Sequence, residues 1–499
     1  MGLFDKKSIP ELIARAADEG EGSLRRGLGP VQLTALGVGA IIGAGIFVIT
    51  GQAAAMHAGP AIVLSFVVAG VACAFAALCY AELASMIPVS GSAYTYTYAT
   101  IGEIFAWIVA WVLMAEYLFA ASAVAVGWSG YFVGLLSDVG IDIPEALRQA
   151  PLIAGEGHAL VATGALINLP AVAIVALVAF VLIQGLNHSA AFNTTIVALK
   201  VAAVVLVIVF GLMYAQPENW SPFIPPAEVD PATGDSRFGV PGIFAAAGVI
   251  FFAYLGFDTV STAAQEARDP QRSLPIGILA SLGICTILYI LVSLAITGMA
   301  PFRSLNVAAP IYTAVEAVGP KLAWLKPVVT ITATIGLGST LLALLYGQSR
   351  IFYAMARDGL LPPIFANVHK QRRTPWAGTL ITAIVVCVFG GLLPIGLLAE
   401  LVSVGTLIAF ALICSAVIYL RLREPDLPRG FKTPFWSVTA PLGIVSCIYL
   451  IIQLPSVTLI RMLLWIVLGL AVYFLYAYRR GDRALADTAV AVPQSEGGT

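Results

Sequence analysis

Three ionisable side chains stand deep inside apolar runs of this sequence: Glu116 in WVLMAEYLFAAS, Lys200 in FNTTIVALKVAAVV and Asp258 in YLGFDTVST. A charged group at the centre of a membrane helix costs about 2.5–3.5 kcal/mol on insertion scales, so each is a functional candidate by default. A lysine at that depth can take up and release a proton, since burial penalises its charged form; the alternative is a structural lysine bonded to carbonyls of spans one and eight. Glu116 reads as part of a functional polar network or as a helix-packing hydrogen bond. Asp258 suits the positive N-terminal end of a following half-helix as a cap, or a gate. The six cysteines form no C-x-x-C pair and the four histidines are scattered. Neither a structural disulfide nor a metal site is expected. No clustered His, Asp and Ser constellation points to an enzyme.

The second chemical feature is backbone. Residues 37–47 read GVGAIIGAGIF, with glycine at 37, 39, 43 and 45. Glycine costs about 1 kcal/mol relative to alanine inside a helix, so four of them predict an interruption. The sixth apolar run, GIFAAAGVIFFAYLGFDTVSTAAQEARDP, is interrupted around 253–256. Unwound backbone in a membrane must be satisfied, and a bound polar molecule can satisfy it. The N–H groups near Ala44, Gly45 and Ile46 begin a half-helix that suits a carboxylate. Carbonyls near Ile41, Phe252, Ala253 and Leu255 suit an ammonium. A zwitterion is the ligand that this pairing requires. Gly39 and Gly43 also form a GxxxG pair, which by itself reads as close helix packing. No strand precedes the glycines, so a dinucleotide fingerprint is excluded.

The elements that position these residues follow from composition. The 499-residue chain is 60% hydrophobic and 11% charged, against about 25% charged in an average soluble domain. Twelve spans are predicted, at 31–57, 61–86, 104–136, 169–186, 190–215, 240–266, 274–299, 322–356, 376–393, 397–421, 437–454 and 459–478. With both termini on the cytoplasmic side, the inner segments hold 19 of the 26 Lys and Arg residues and the outer segments hold 6, the remaining one being Lys200. That split follows the positive-inside rule. No signal peptide is visible in residues 1–30, where Ile9–Ala17 reads equally as a surface helix or a solvated tail. The outer loops at 137–168 and 216–239 are expected to contain short helices, and the tail from Gly481 reads as disordered.

Interrupted first and sixth spans occupy corresponding positions in two five-span sets, which is the mark of an inverted-repeat secondary transporter. LTALGVGAIIGAGIFVITG, FFAYLGFDTVSTAAQEARDPQRSLPIGI and LLYGQSRIFYAMARDGLLP resemble the cationic amino acid transporter family of the amino acid–polyamine–organocation superfamily. The resemblance runs from about residue 5 to about residue 478 and is of the bacterial, twelve-span kind. It implies an all-α, leucine-transporter-like 5+5 inverted repeat with two added C-terminal helices. The organisation is then a cytoplasmic segment at 1–30 and a core at 31–421, with repeats at about 31–215 and 240–421. Two further helices lie at 437–478, and a cytoplasmic tail at 479–499. It implies an amino acid substrate whose carboxylate is held by Gly43, Ala44 and Gly45. The α-amino group falls to the carbonyls of Ile41, Phe252, Ala253 and Leu255, with Phe252 also as an aromatic gate. Lys200 takes the place of a sodium ion as the proton switch, so a proton is the expected coupling ion and no cofactor is implied. Glu116, Asp258 and Tyr289 join the network around the site and its gates, and Leu337 limits the side-chain pocket.

A cationic side chain needs a counter-charge in its pocket, and Glu116 and Asp258 are the only anions considered at that depth. The rest of the wall reads Phe, Leu, Ala, Gly, Ser and Thr, with Ser339, Thr340, Ser403 and Thr406 as possible lining. Proton-coupled uptake of small or medium neutral L-amino acids is therefore expected. Transport or exchange of arginine, lysine or ornithine is the alternative, and an amino acid sensor on the same fold stands behind it. The expected location is the bacterial cytoplasmic membrane, with the lipid bilayer and an amino acid as partners and no nucleic acid. A small single-span accessory subunit and the oligomeric state leave no mark in the sequence.

Overall fold

The computed structural model describes residues 27–89, 92–154, 160–185, 190–229, 236–369 and 374–478, with Lys6, Ser8 and Ile9. Most of the proposed surface helix at 9–17 and the tail from Gly481 lie outside the described residues. Helix occupies each of the twelve predicted ranges. They are α1 (Pro30–Ile41), α2 (Ile62–Met86), α3 (Glu103–Asp138), α4 (Leu169–Gln184), α5 (Ala190–Met213), α6 (Gly239–Ile250), α7 (Pro270–Met299), α8 (Leu325–Arg357), α9 (Trp376–Leu392), α10 (Ile395–Arg423), α11 (Trp436–Ile452) and α12 (Ser456–Val472). Among the described residues, eight helical stretches are long and apolar enough to cross a membrane, and four shorter apolar helices accompany them. One of the eight runs from Gly45 to Met86, turned at Gly59, whose φ of 61° suits glycine.

Local sequence explains the ends. Pro30 opens α1, and the Gly29 N–H donates to Gln32 Oε1 at 3.0 Å. Asn168 caps α4 by accepting from the Ala171 N–H, and its Oδ1 also accepts from Ser129 Oγ of α3 at 2.6 Å. Gly185 ends α4 in the left-handed conformation. The first long outer loop holds a short helix, Glu145–Arg148, as expected, and also an antiparallel pair in which Leu152 faces Ala162. The second holds a 3-10 turn at Pro217–Trp220 and a two-residue pairing of Glu228–Val229 with Ser236–Arg237. Neither pairing was legible as strands, because the paired runs are only three and two residues long.

Packing sorts the helices into two groups. α7 lies against α1 and α2, and α6 against α2. α3 lies against α8, α4 against α9, and these four also touch crosswise. α5 joins the groups by contacting α1, α7 and α8, and α10 joins them by contacting α2, α3 and α6. α11 and α12 both pack on α10, α11 reaching α2 and α12 reaching α3.

Candidate functional site

Two helix breaks face each other at the centre of the fold. α1 ends at Ile41; Ile42 is extended (φ −71°, ψ 91°), and helix resumes from Gly45. α6 passes into a 3-10 turn at Phe251–Tyr254, then a bend at 255–258, then the short helix Thr259–Thr262. Gly45 touches the second break so closely that an added Cβ would stand 2.4 Å from Ala253 Cα. Gly256, at φ 117°, lies against the first break, where a Cβ would meet the carbonyl carbon of Ala40 at 2.8 Å. Both glycines are therefore required by the crossing of two backbones. The packing reading also holds for Gly39, whose missing Cβ makes room for Val197 of α5.

Lys200 stands beside the first break. Its Nζ donates to Thr340 Oγ1 at 2.9 Å, to the Ile42 carbonyl at 3.0 Å and to the Gly39 carbonyl at 3.2 Å. A protonated amine has three donors, and all three are used. The lysine thereby ties α5 to the unwound end of α1 and to α8. Its stem passes over Gly336, where a Cβ would come within 2.9 Å of Lys200 Cε.

The second tie is Tyr289 of α7, which is fully buried. Its hydroxyl lies 2.7 Å from the Ile41 carbonyl and 2.8 Å from the Ala253 carbonyl. Both are carbonyls assigned in sequence to an ammonium; here one hydroxyl proton is shared between them. Ser403 of α10 closes the α6 break from the other side, donating to the Val249 carbonyl at 2.8 Å and accepting from the Phe252 N–H at 3.0 Å. Its hydroxyl is thus committed to backbone. Thr406 and Ser339 donate to their own helices, at Val402 and Gly336. Of the four hydroxyls considered as lining, Thr340 is the one that meets Lys200.

Glu116 of α3 is buried opposite α10, and its Oε2 makes no hydrogen bond. Asp258 lies within Coulombic range of it and of Tyr117. Asp258 occupies the N-cap position of Thr259–Thr262, but its side chain makes no capping hydrogen bond. Its backbone carbonyl instead accepts from the Ser261 hydroxyl and N–H. Among the predicted site residues only Leu255 is partly exposed; Ile41, Gly43, Ala44, Gly45, Phe252, Ala253, Leu337, Lys200, Glu116, Asp258 and Tyr289 are buried. The structure brings the breaks, Lys200 and Tyr289 into direct contact. Leu337, next in α8 to Gly336, is buried.

Two buried acids inside predicted spans have no role in the sequence analysis. Glu82, near the end of α2, accepts from Arg421 Nη2 at 2.9 Å, Arg429 Nε at 3.1 Å and the Thr433 N–H at 2.7 Å. Glu400 of α10 accepts from the Thr458 hydroxyl of α12. Both lie inside predicted spans, so the rule that selected Glu116 applied equally to them.

The amino acid permease family model matches residues 28–475. The branched-chain amino acid permease BcaP of Bacillus subtilis (strain 168) is 46% identical over 476 residues, 95% of this chain and 97% of that protein. The methylthioribose transporter of the same organism is 44% identical over 475 residues, 95% of this chain and 98% of that protein. The vacuolar cationic amino acid transporter 4 of Arabidopsis thaliana is 37% identical over 409 residues, 82% of this chain and 65% of that protein. A family match from before α1 to beyond α12, together with paired broken helices, leads to one conclusion: the chain belongs to the amino acid permease family.

Proposed function

We propose that the protein takes up small or medium neutral L-amino acids together with protons by alternating access. The observation that carries this is the contact of the two breaks at Gly45 and Ala253, with the Lys200 ammonium on the carbonyls of the first. The substrate carboxylate binds the N–H groups of Gly43, Ala44 and Gly45. Its ammonium takes the carbonyls of Ile41, Phe252, Ala253 and Leu255, competing with the Tyr289 hydroxyl for two of them. Phe252 closes over the substrate and Leu337 bounds its side chain. Protonated Lys200 pins the Gly39 and Ile42 carbonyls to α5 and α8; losing the proton removes a donor and loosens the first break.

The architecture proposed is twelve membrane spans, with a 5+5 inverted repeat at about 31–215 and 240–421 and two added helices at 437–478. Its support is the packing pattern. Exchange each helix of α1–α10 with the one five places away, and every substantial helix contact maps onto another or, as for α2–α7, α3–α8 and α4–α9, onto itself: α1–α7 goes onto α6–α2, α5–α8 onto α10–α3, α3–α9 onto α8–α4. The Lys and Arg distribution supports cytoplasmic termini, and the Bacillus relatives support a bacterial cytoplasmic membrane.

Neutral substrates are favoured because relatives 46% and 44% identical are named for branched-chain amino acids and methylthioribose, neither of them cationic. The cationic reading rests on one observation, the unbonded Oε2 of buried Glu116, which has acceptor capacity to spare. Competition in proteoliposomes separates them. Excess unlabelled leucine or alanine should abolish uptake of labelled leucine while arginine leaves it unchanged; inhibition by arginine alone overturns the neutral assignment.

A further inference from the structure

One face of α8 changes character along its length in a way that transport does not use. Trp324, just before the helix, is 47% exposed, Ile331 45%, Ile335 43% and Tyr346 44%. At 1.5 Å per residue, Trp324 and Tyr346 are separated by about 33 Å, close to the ~30 Å of a hydrocarbon core. Aromatic side chains mark the two interfaces of a membrane, so the face between them is the lipid-facing stripe. Continuing on that stripe at helical spacing come Arg350, Tyr353 and Arg357. The Arg350 guanidinium lies 4.0 Å from the Tyr346 ring centroid, and that of Arg357 5.9 Å from the Tyr353 ring. Both arginines are exposed. Among the described residues neither has a carboxylate partner; the adjacent Asp358 accepts from the Tyr94 hydroxyl at 2.7 Å instead.

Arg350 and Arg357 stand about 6 Å and about 16 Å beyond Tyr346 along the axis, the first at headgroup depth and the second on its aqueous side. A guanidinium held near a tyrosine ring and unpaired with a carboxylate has its N–H donors available for bidentate contact with a phosphate oxygen pair. We propose that the Tyr346–Arg357 stripe of α8 docks the phosphates of anionic phospholipids in the adjoining leaflet. The occupant is set by depth and charge: the stripe begins where hydrocarbon ends, it carries two arginines, and among the described residues neither is paired with a carboxylate. The inference concerns the outer surface of α8 and is independent of the transported solute.

The full chain, purified in mixed micelles holding equal phosphatidylglycerol and phosphatidylcholine, is analysed for the lipids it retains. Wild type should retain phosphatidylglycerol in excess, and Arg350→Gln with Arg357→Gln should lower that excess by about fivefold per arginine, the value of one surface charge near an anionic leaflet. Arg461→Gln, at the start of α12, should leave it unchanged. Arg350→Lys with Arg357→Lys keeps charge and loses the stacked fork, and should restore only part of the excess. Equal retention of both lipids by wild type, an unaltered excess in the glutamine pair, or full restoration by the lysine pair overturns the assignment. The lysine pair also serves as the test variant if the glutamine pair does not fold.

Discussion

At the residue scale, two donors hold the unwound backbone of the first break: the Lys200 ammonium and the Tyr289 hydroxyl. A tyrosine hydroxyl has one proton to give, yet it sits between two carbonyls from different helices. Removing it should therefore do two things. Tyr289→Phe should destabilise the substrate-free protein by about 1 kcal/mol, one buried hydrogen bond, and should lower KM for the amino acid, because the ammonium no longer competes for the Ile41 and Ala253 carbonyls. Thermal melting and initial uptake rates check both; a raised KM would show that the hydroxyl assists binding. Lys200 and Glu116 were legible in the sequence because a charge inside an apolar run stands out. Ser403 was legible as a polar residue near the site but not as the group that bridges Val249 and Phe252, since a short hydroxyl's partner depends on which backbone the fold brings against it. Glu82 is legible as a charge inside an apolar run, but its two arginines are not, since they lie 339 and 347 residues further along the chain.

At the element scale, the breaks in the first and sixth helices depend on glycines that allow one unwound segment to cross the other. Gly45→Ala puts a methyl 2.4 Å from Ala253 Cα. Backbone cannot yield as a side-chain tip can, so the crossing must open, at an overpacking cost of about 1–3 kcal/mol. Transport should be lost while the protein remains folded in detergent, as read by uptake together with size-exclusion profile and melting temperature. Retained uptake would mean that the two breaks do not form the substrate site. The positions of the breaks were legible from glycine content alone. What the glycines face was not: Gly39 meets α5, Gly45 meets the 3-10 turn after α6 and Gly37 meets α7, and only the folded arrangement assigns a neighbour to each.

At the scale of the whole molecule, ten helices pack so that an exchange of the two sets of five preserves their contacts, and the breaks fall on helices that the exchange interchanges. Helix order and span boundaries were readable because apolar runs of membrane length are long signals, whereas the pairing of α3 with α8 or α4 with α9 joins segments far apart in sequence and has no local signature. Lys200 ties the first set to α8 of the second through Thr340, which is where protonation can act on the relative position of the two. The decisive measurement is uptake of labelled leucine into proteoliposomes with and without an inward proton gradient, for wild type and Lys200→Ala. Wild type should accumulate leucine driven by the gradient, and Lys200→Ala should lose that accumulation, retaining at most downhill exchange. Accumulation that persists in Lys200→Ala, or wild-type uptake indifferent to the gradient, contradicts it.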